Sequence, residues 1–129
     1  MAESIIDLTE AEWTVMECLW AASPLTGREL TERLGKQVGW SRSTTLTLLR
    51  RLEAKGAVGG DGEAGVKRFR PLLRREDAAL RETEAMLGRL YHGSLSLLVS
   101  AMTRKQSLPQ AEIDRLYALL KDMEGDGHA

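Results

Sequence analysis

The stretch from Trp40 to Gly56, W-S-R-S-T-T-L-T-L-L-R-R-L-E-A-K-G, constrains the fold of this chain more than any other. Both its ends carry helix punctuation. Ser41 is a favourable N-cap, and Gly56 suits the left-handed residue that follows a last turn. At 100° per residue, Thr45, Leu48, Leu49 and Leu52 fall on one side at i, i+3, i+4 and i+7, which predicts a helix with that side inward. The opposite side holds Ser43, Thr47 and Arg50, flanked by Arg42, Thr44, Arg51 and the methyls of Leu46. Short hydroxyls and guanidiniums with almost no acid suit a DNA major groove. Arginine meets guanine edges or phosphates there, serine and threonine meet either, and an apolar side chain meets a thymine methyl. A merely solvated helix face has the same composition, so the neighbouring segments decide the reading.

Thr9-Glu10-Ala11-Glu12 is a capping box, and the helix it opens places Trp13, Met16, Leu19 and Trp20 on one face before Ser23-Pro24 ends it. Thr26-Gly27-Arg28-Glu29 is a second capping box, with Leu30 and Leu34 inward. Gly39-Trp40 then leads into the third helix. Three helices with a short turn before the third form a helix-turn-helix. After Gly56, Ala57-Val58 starts a strand, Gly59 to Gly65 reads as a loop, and Val66 to Arg70 alternates as a return strand that Pro71 stops. A glycine-rich hairpin directly after such a helix is a wing, and it sets Lys67 and Arg68 beside the phosphate backbone or minor groove.

From Arg75 to Lys105 the pattern is helical, with a bend expected at His92-Gly93. Ser107-Leu108-Pro109 opens a last helix, Leu108 and Ile113 being placed as a hydrophobic staple, and Glu124 to Ala129 reads as a frayed polar tail. Leu87, Leu90, Tyr91, Leu95, Leu98, Met102, Ile113, Leu116, Tyr117 and Leu120 give these helices more apolar surface than one small head covers. A second copy is the simplest cover, and a symmetric dimer doubles the reading helices. The expected architecture is mainly α: a winged helix-turn-helix with a small β-wing over residues 1–73, plus C-terminal dimerisation helices over 74–129.

Composition narrows the function classes. The net charge is −1, yet Arg33 to Lys55 carries six basic residues against Glu53 alone, Lys67 to Arg75 carries five and no acid, and the acids cluster between Glu3 and Glu17. At physiological salt the field reaches only about 8 Å, so local patches govern phosphate contact. Cys18 stands alone and the only histidines are His92 and His128, which points to no metal and no cofactor, with Cys18 and the three tryptophans as packing residues. No signal peptide or long apolar run is present, so a cytoplasmic location is expected. No phosphate-binding glycine loop or nucleophile–base pairing supports an enzyme. Two alternatives to a DNA-reading repressor stand at this point: a winged-helix module that binds protein, and a ligand-responsive winged-helix regulator of another class.

Three motifs carry a resemblance: L-T-E-A-E-W-T-V-M-E-C-L-W near the start, W-S-R-S-T-T-L-T-L-L-R-R-L-E-A-K-G, and L-Y-H-G-S-L-S-L-L-V leading into L-P-Q-A-E-I-D-R-L. Over nearly all of residues 7–121 the chain resembles the penicillinase-repressor family, the BlaI/MecI type of bacterial winged-helix regulators. The resemblance implies a homodimeric repressor on an operator, controlling resistance genes and its own operon. It also implies inactivation by a membrane-embedded sensor protease that cuts in the C-terminal region. The corresponding positions here are Ala101 and Met102, where family examples carry Asn-Phe, a departure that bears on cleavage and not on DNA binding. The cysteine cluster of the copper-responsive branch is absent. By position, the family pattern carries DNA contact onto Ser41, Thr44, Thr47 and Arg51, and onto Lys67 and Arg68 of the wing. The face analysis adds Arg42, Ser43 and Arg50, and makes Arg51 and Lys55 phosphate contacts.

Overall fold

The computed structural model describes residues 6–62 and 65–127. Glu3 of the acidic cluster, Glu63-Ala64 of the wing loop, and His128 with Ala129 of the tail lie outside the described residues. In chain order the elements are α1 (Glu10–Ala21), β1 (Leu25–Thr26), α2 (Gly27–Val38), α3 (Arg42–Lys55), β2 (Val58–Asp61), β3 (Arg68–Pro71), α4 (Arg75–Tyr91), α5 (Leu95–Lys105) and α6 (Gln110–Gly127). They form two compact units, Met1–Thr83 and Glu84–Ala129. The sequence puts a junction at 73/74, before α4, whereas the units divide inside that helix. The first turns of α4 belong to the head because Arg75 donates twice to the Glu17 carboxylate of α1, at 2.8 and 3.0 Å, and Ala78 is buried.

Both capping boxes form as the sequence predicts. Thr9 accepts from the Glu12 N–H while Glu12 accepts from the Thr9 N–H, and Thr26 and Glu29 do the same for α2. The core of the head takes Val15, Met16, Cys18 and Leu19 from α1, Leu30 and Leu34 from α2, and Leu48, Leu49 and Leu52 from α3. The sheet closes it with Leu25, Ala57, Val58 and Phe69. Burial pushes the Cys18 thiol pKa up, against the opposing charge of Arg33, which keeps the thiol protonated and in a packing role. Trp13 and Trp20 meet edge to face at 5.2 Å, and the Trp20 indole donates to the Leu73 carbonyl at 2.8 Å. Among the described residues one buried side-chain group is unsatisfied: the Thr45 hydroxyl of α3 is fully buried and has no hydrogen-bond partner.

The sheet differs from its expected outline in three ways. Its strand order is β1-β3-β2, all antiparallel, so a strand not foreseen, Leu25–Thr26, pairs with Phe69 and Arg68. Two residues are too short to show an alternation, and only pairing with β3 makes them a strand. Second, β2 continues through Gly59 and Gly60 to Asp61, into what reads as loop. Gly60 faces Phe69, and a Cβ there would lie 3.1 Å from the Phe69 ring, so glycine here marks a close approach inside a strand. Third, β3 starts at Arg68 rather than Val66 and includes Pro71, whose missing N–H is tolerated at a strand end.

In the second unit, α4 ends where the sequence places a bend. His92 and Gly93 take left-handed φ values of 53° and 79°, and the Gly93 N–H reaches back to the Leu87 carbonyl. Ser94 then caps α5 by accepting from the Leu97 N–H. The last helix runs on to Gly127, correcting the frayed tail expected from Glu124, because each further residue adds a backbone bond to a helix already nucleated. From residue 79 to 125 no residue is buried.

Candidate nucleic-acid interface

Helix α3 presents the predicted face. Thr45, Leu48, Leu49 and Leu52 are buried, while Ser41, Arg42, Ser43, Thr44, Thr47, Arg50 and Arg51 are exposed. Its N-terminus is built around Ser41, whose hydroxyl accepts from the Thr44 N–H at 3.2 Å, donates to the Thr44 hydroxyl at 3.0 Å, and lies 3.2 Å from that of Ser43. The first turn holds no acid, so its free N–H groups and the helix dipole favour an anion there.

Ser43 and Thr47 form a ridge between two shallow depressions. One, of about 390 Å³, is lined by Arg42, Ser43, Leu46, Thr47 and Arg50. The other, of about 320 Å³, runs toward α1 and is lined by Ala11, Trp40, Ser43, Thr44, Thr47, Leu48 and Arg51. Leu46 is half-buried rather than fully exposed, since it packs against the core and α2 starts beside it.

Charge pairing separates the candidate cations. Among the described residues, Arg42, Arg50, Arg51 and Arg68 make no ion pair. Lys55, read from sequence as a phosphate contact, instead sends its ammonium to the Glu12 carboxylate at 2.6 Å and to the Asp7 carbonyl at 2.7 Å. Glu12 is 1% exposed. Its burial raises the carboxyl pKa, but Lys55 and the Thr9 N–H outweigh that and hold it below the ordinary value. Lys67 is committed as well, 2.6 Å from the Glu53 carboxylate and 5.2 Å over the Phe69 ring. Arg68 points outward on β3, opposite in register to Thr26, whereas Arg70 is paired with Asp61 at 2.7 Å. Lys55 and Lys67 therefore fasten the last turn of α3 to α1 and to the wing, and the arginines of α3 remain available to a ligand. The sequence hides this division because each lysine's partner is remote in the chain, Glu12 lying 43 residues from Lys55 and Glu53 14 residues from Lys67.

Of the candidate dimer residues, Leu87, Tyr91, Leu98, Ile113 and Leu116 are half-buried, and Leu90, Leu95, Met102, Tyr117 and Leu120 are exposed. Leu97, Leu119 and Met123 add to the exposed apolar surface. Ala101 and Met102 lie inside α5, half-buried and exposed respectively. No group of three or more histidine, cysteine or carboxylate side chains that could hold a metal occurs among the described residues. Nor is any of their helices long and apolar enough to cross a membrane.

Residues 8–122 match the family described as penicillinase repressor. The chain is 30% identical to the penicillinase repressor of Bacillus licheniformis over 120 residues, covering 93% of this chain and 94% of that one. It is 26% identical to the methicillin resistance regulatory protein MecI of Staphylococcus aureus strain N315 over 120 residues, covering 93% and 98%. Two solution structures are similar at 31% identity, each over 60% of this chain and 93% of the other. The DNA-binding domain of the repressor BlaI gives a TM-score of 0.52. The monomeric form of B. licheniformis BlaI in complex with the blaP half-operator gives 0.51.

Proposed function

The chain belongs to the penicillinase repressor family and is a DNA-binding repressor, and from that premise we propose that it occupies a two-fold symmetric operator as a homodimer. Each copy lays α3 in a major groove. Arg42, Ser43, Thr44, Thr47 and Arg50 face base edges, while Ser41, Arg51 and Arg68 hold phosphates. The carrying observation is the exposed stripe of hydroxyls and unpaired arginines on α3, beside Lys55, Lys67 and Arg70, which are already paired with carboxylates. The relative solved as a monomer on a half-operator supports one copy per half-site. The regulated genes are resistance genes, in keeping with the relatives' names, together with its own operon. The reading is of a binder rather than an enzyme, since the α3 stripe holds no histidine or cysteine and the Ser41 hydroxyl bonds those of Ser43 and Thr44.

The second copy is proposed from the C-terminal unit, whose Leu95, Leu119, Leu120, Tyr117 and Met123 are exposed. Each large apolar side chain buried there contributes about 1.5–3 kcal/mol. Ala101 and Met102 sit in a regular helix, where peptide bonds are poorly presented to a protease, which supports a packing role for them over an open cleavage site.

The test is binding of the full-length protein to DNA from upstream of its own gene against scrambled DNA, across a salt series. A preference of about a thousandfold or more at physiological salt is expected. Weak binding that salt erases and sequence does not affect would overturn the proposal.

A further inference from the structure

We infer that Leu46 is a specificity-determining residue that reads the C5-methyl group of a thymine in each half-site. This rests on the proposed insertion of α3 into the major groove and adds to it an apolar reader among polar ones.

Leu46 lines the 390 Å³ depression together with Arg42, Ser43, Thr47 and Arg50. It is the one aliphatic side chain in that lining. Its position is set from behind: a Cβ added to Gly27, at the start of α2, would lie 3.4 Å from Leu46 Cδ2. The first turn of α2 therefore backs one methyl while the half-buried side chain offers the rest to the depression. A side chain held this way loses little further rotamer freedom on binding, so an apolar contact made here keeps most of its worth.

The contact must be to thymine because only that base carries a methyl group in the major groove. A methyl group set against the Leu46 side chain covers apolar surface without leaving a polar base atom unpaired, and the polar groups that share the depression stay free for base edges. Leu46 and Arg50 are one turn apart, about 6 Å along the helix, against about 3.4 Å between stacked base pairs. The thymine thus lies one or two base pairs from the base that Arg50 addresses.

The experiment uses a duplex that the full-length protein selects from a random-sequence pool. Each thymine of one half-site is replaced in turn by deoxyuridine, which removes only the methyl group. The wild type should lose about fourfold at one thymine, the worth of a single buried methyl, and Leu46→Ala should bind the thymine and deoxyuridine duplexes alike. Because the comparison is made within each protein, any general weakening of Leu46→Ala cancels. Indifference of the wild type at every thymine, or unchanged methyl sensitivity in Leu46→Ala, would overturn the inference while leaving sequence-specific binding intact. A pool that shows no enrichment, or a selection unaltered by Arg50→Ala, would instead bring down the reading of α3 itself, and this assignment with it.

Discussion

The head and the C-terminal helices hold similar kinds of apolar residue and dispose of them in opposite ways. In the head, leucines from three helices converge with Phe69 and Val58 on one interior, and Leu19, Leu30, Leu34 and Leu52 are wholly buried. In the C-terminal unit Leu95 is 58% exposed, Leu119 61% and Tyr117 71%, and α5 holds no buried residue at all. The difference teaches that burial follows from arrangement rather than composition. Helices crossing one another over a sheet enclose a volume, and amphipathic helices without a facing layer cannot. The head encloses its own core, and it is the tail that the proposed second copy would complete.

Truncating a head leucine tests the first half of that contrast. Leu34→Ala should cost about 3–4 kcal/mol in denaturant unfolding, since the site is closed on all sides. Leu120→Ala should cost far less in dilute protein. Equal losses would erase the distinction. In the tail, Tyr117→Asp combined with Leu120→Asp should weaken self-association by about a hundredfold or more, read by sedimentation, with the thermal unfolding of the head unchanged. An unaltered mass would sink the dimer surface as drawn.

Next in size is the ion pair that fastens α3. Lys55→Met strands the buried Glu12 carboxylate and should cost about 2 kcal/mol near neutral pH. Because the Glu12 pKa is depressed in the folded state, its contribution is present above the ordinary carboxylate value and lost as pH falls through the lowered one. The gap between wild type and Glu12→Gln should therefore narrow on acidification, and a gap that widened would contradict the pairing. Thr45→Val should stabilise the head by about 1 kcal/mol, because it removes a buried hydroxyl without a partner. A loss of stability would mean that the hydroxyl does find one. The smallest effect sets the two wing cations apart. Arg68→Ala should lower the salt slope of DNA binding by about one, and Lys67→Ala by less, since Glu53 already neutralises it. Equal slopes would show that the Lys67–Glu53 pair opens on DNA.

Much of this was legible in the chain. The capping boxes at Thr9 and Thr26, the Ser41 cap, the Gly56 stop and the inward leucines of α3 are local, set by the spacing of residues within one or two turns. So is the break at His92-Gly93. The exposed stripe of α3 follows directly from the buried one, because a helix that commits one face inward leaves the other outward.

What the tertiary structure alone decided lies between segments distant in sequence. A two-residue strand exists because β3 passes beside Leu25 and Thr26, and Gly59-Gly60 become strand because β3 pairs with them, Gly59 opposite Arg70 and Gly60 opposite Phe69. Lys55 and Lys67 look the same as the arginines beside them in a charge count, and they become fasteners because Glu12 and Glu53 arrive from elsewhere. The periodicity of a segment is written in its own residues and survives without neighbours. Pairing of strands and of charges depends on which segments meet, and that is settled only when the chain closes on its core.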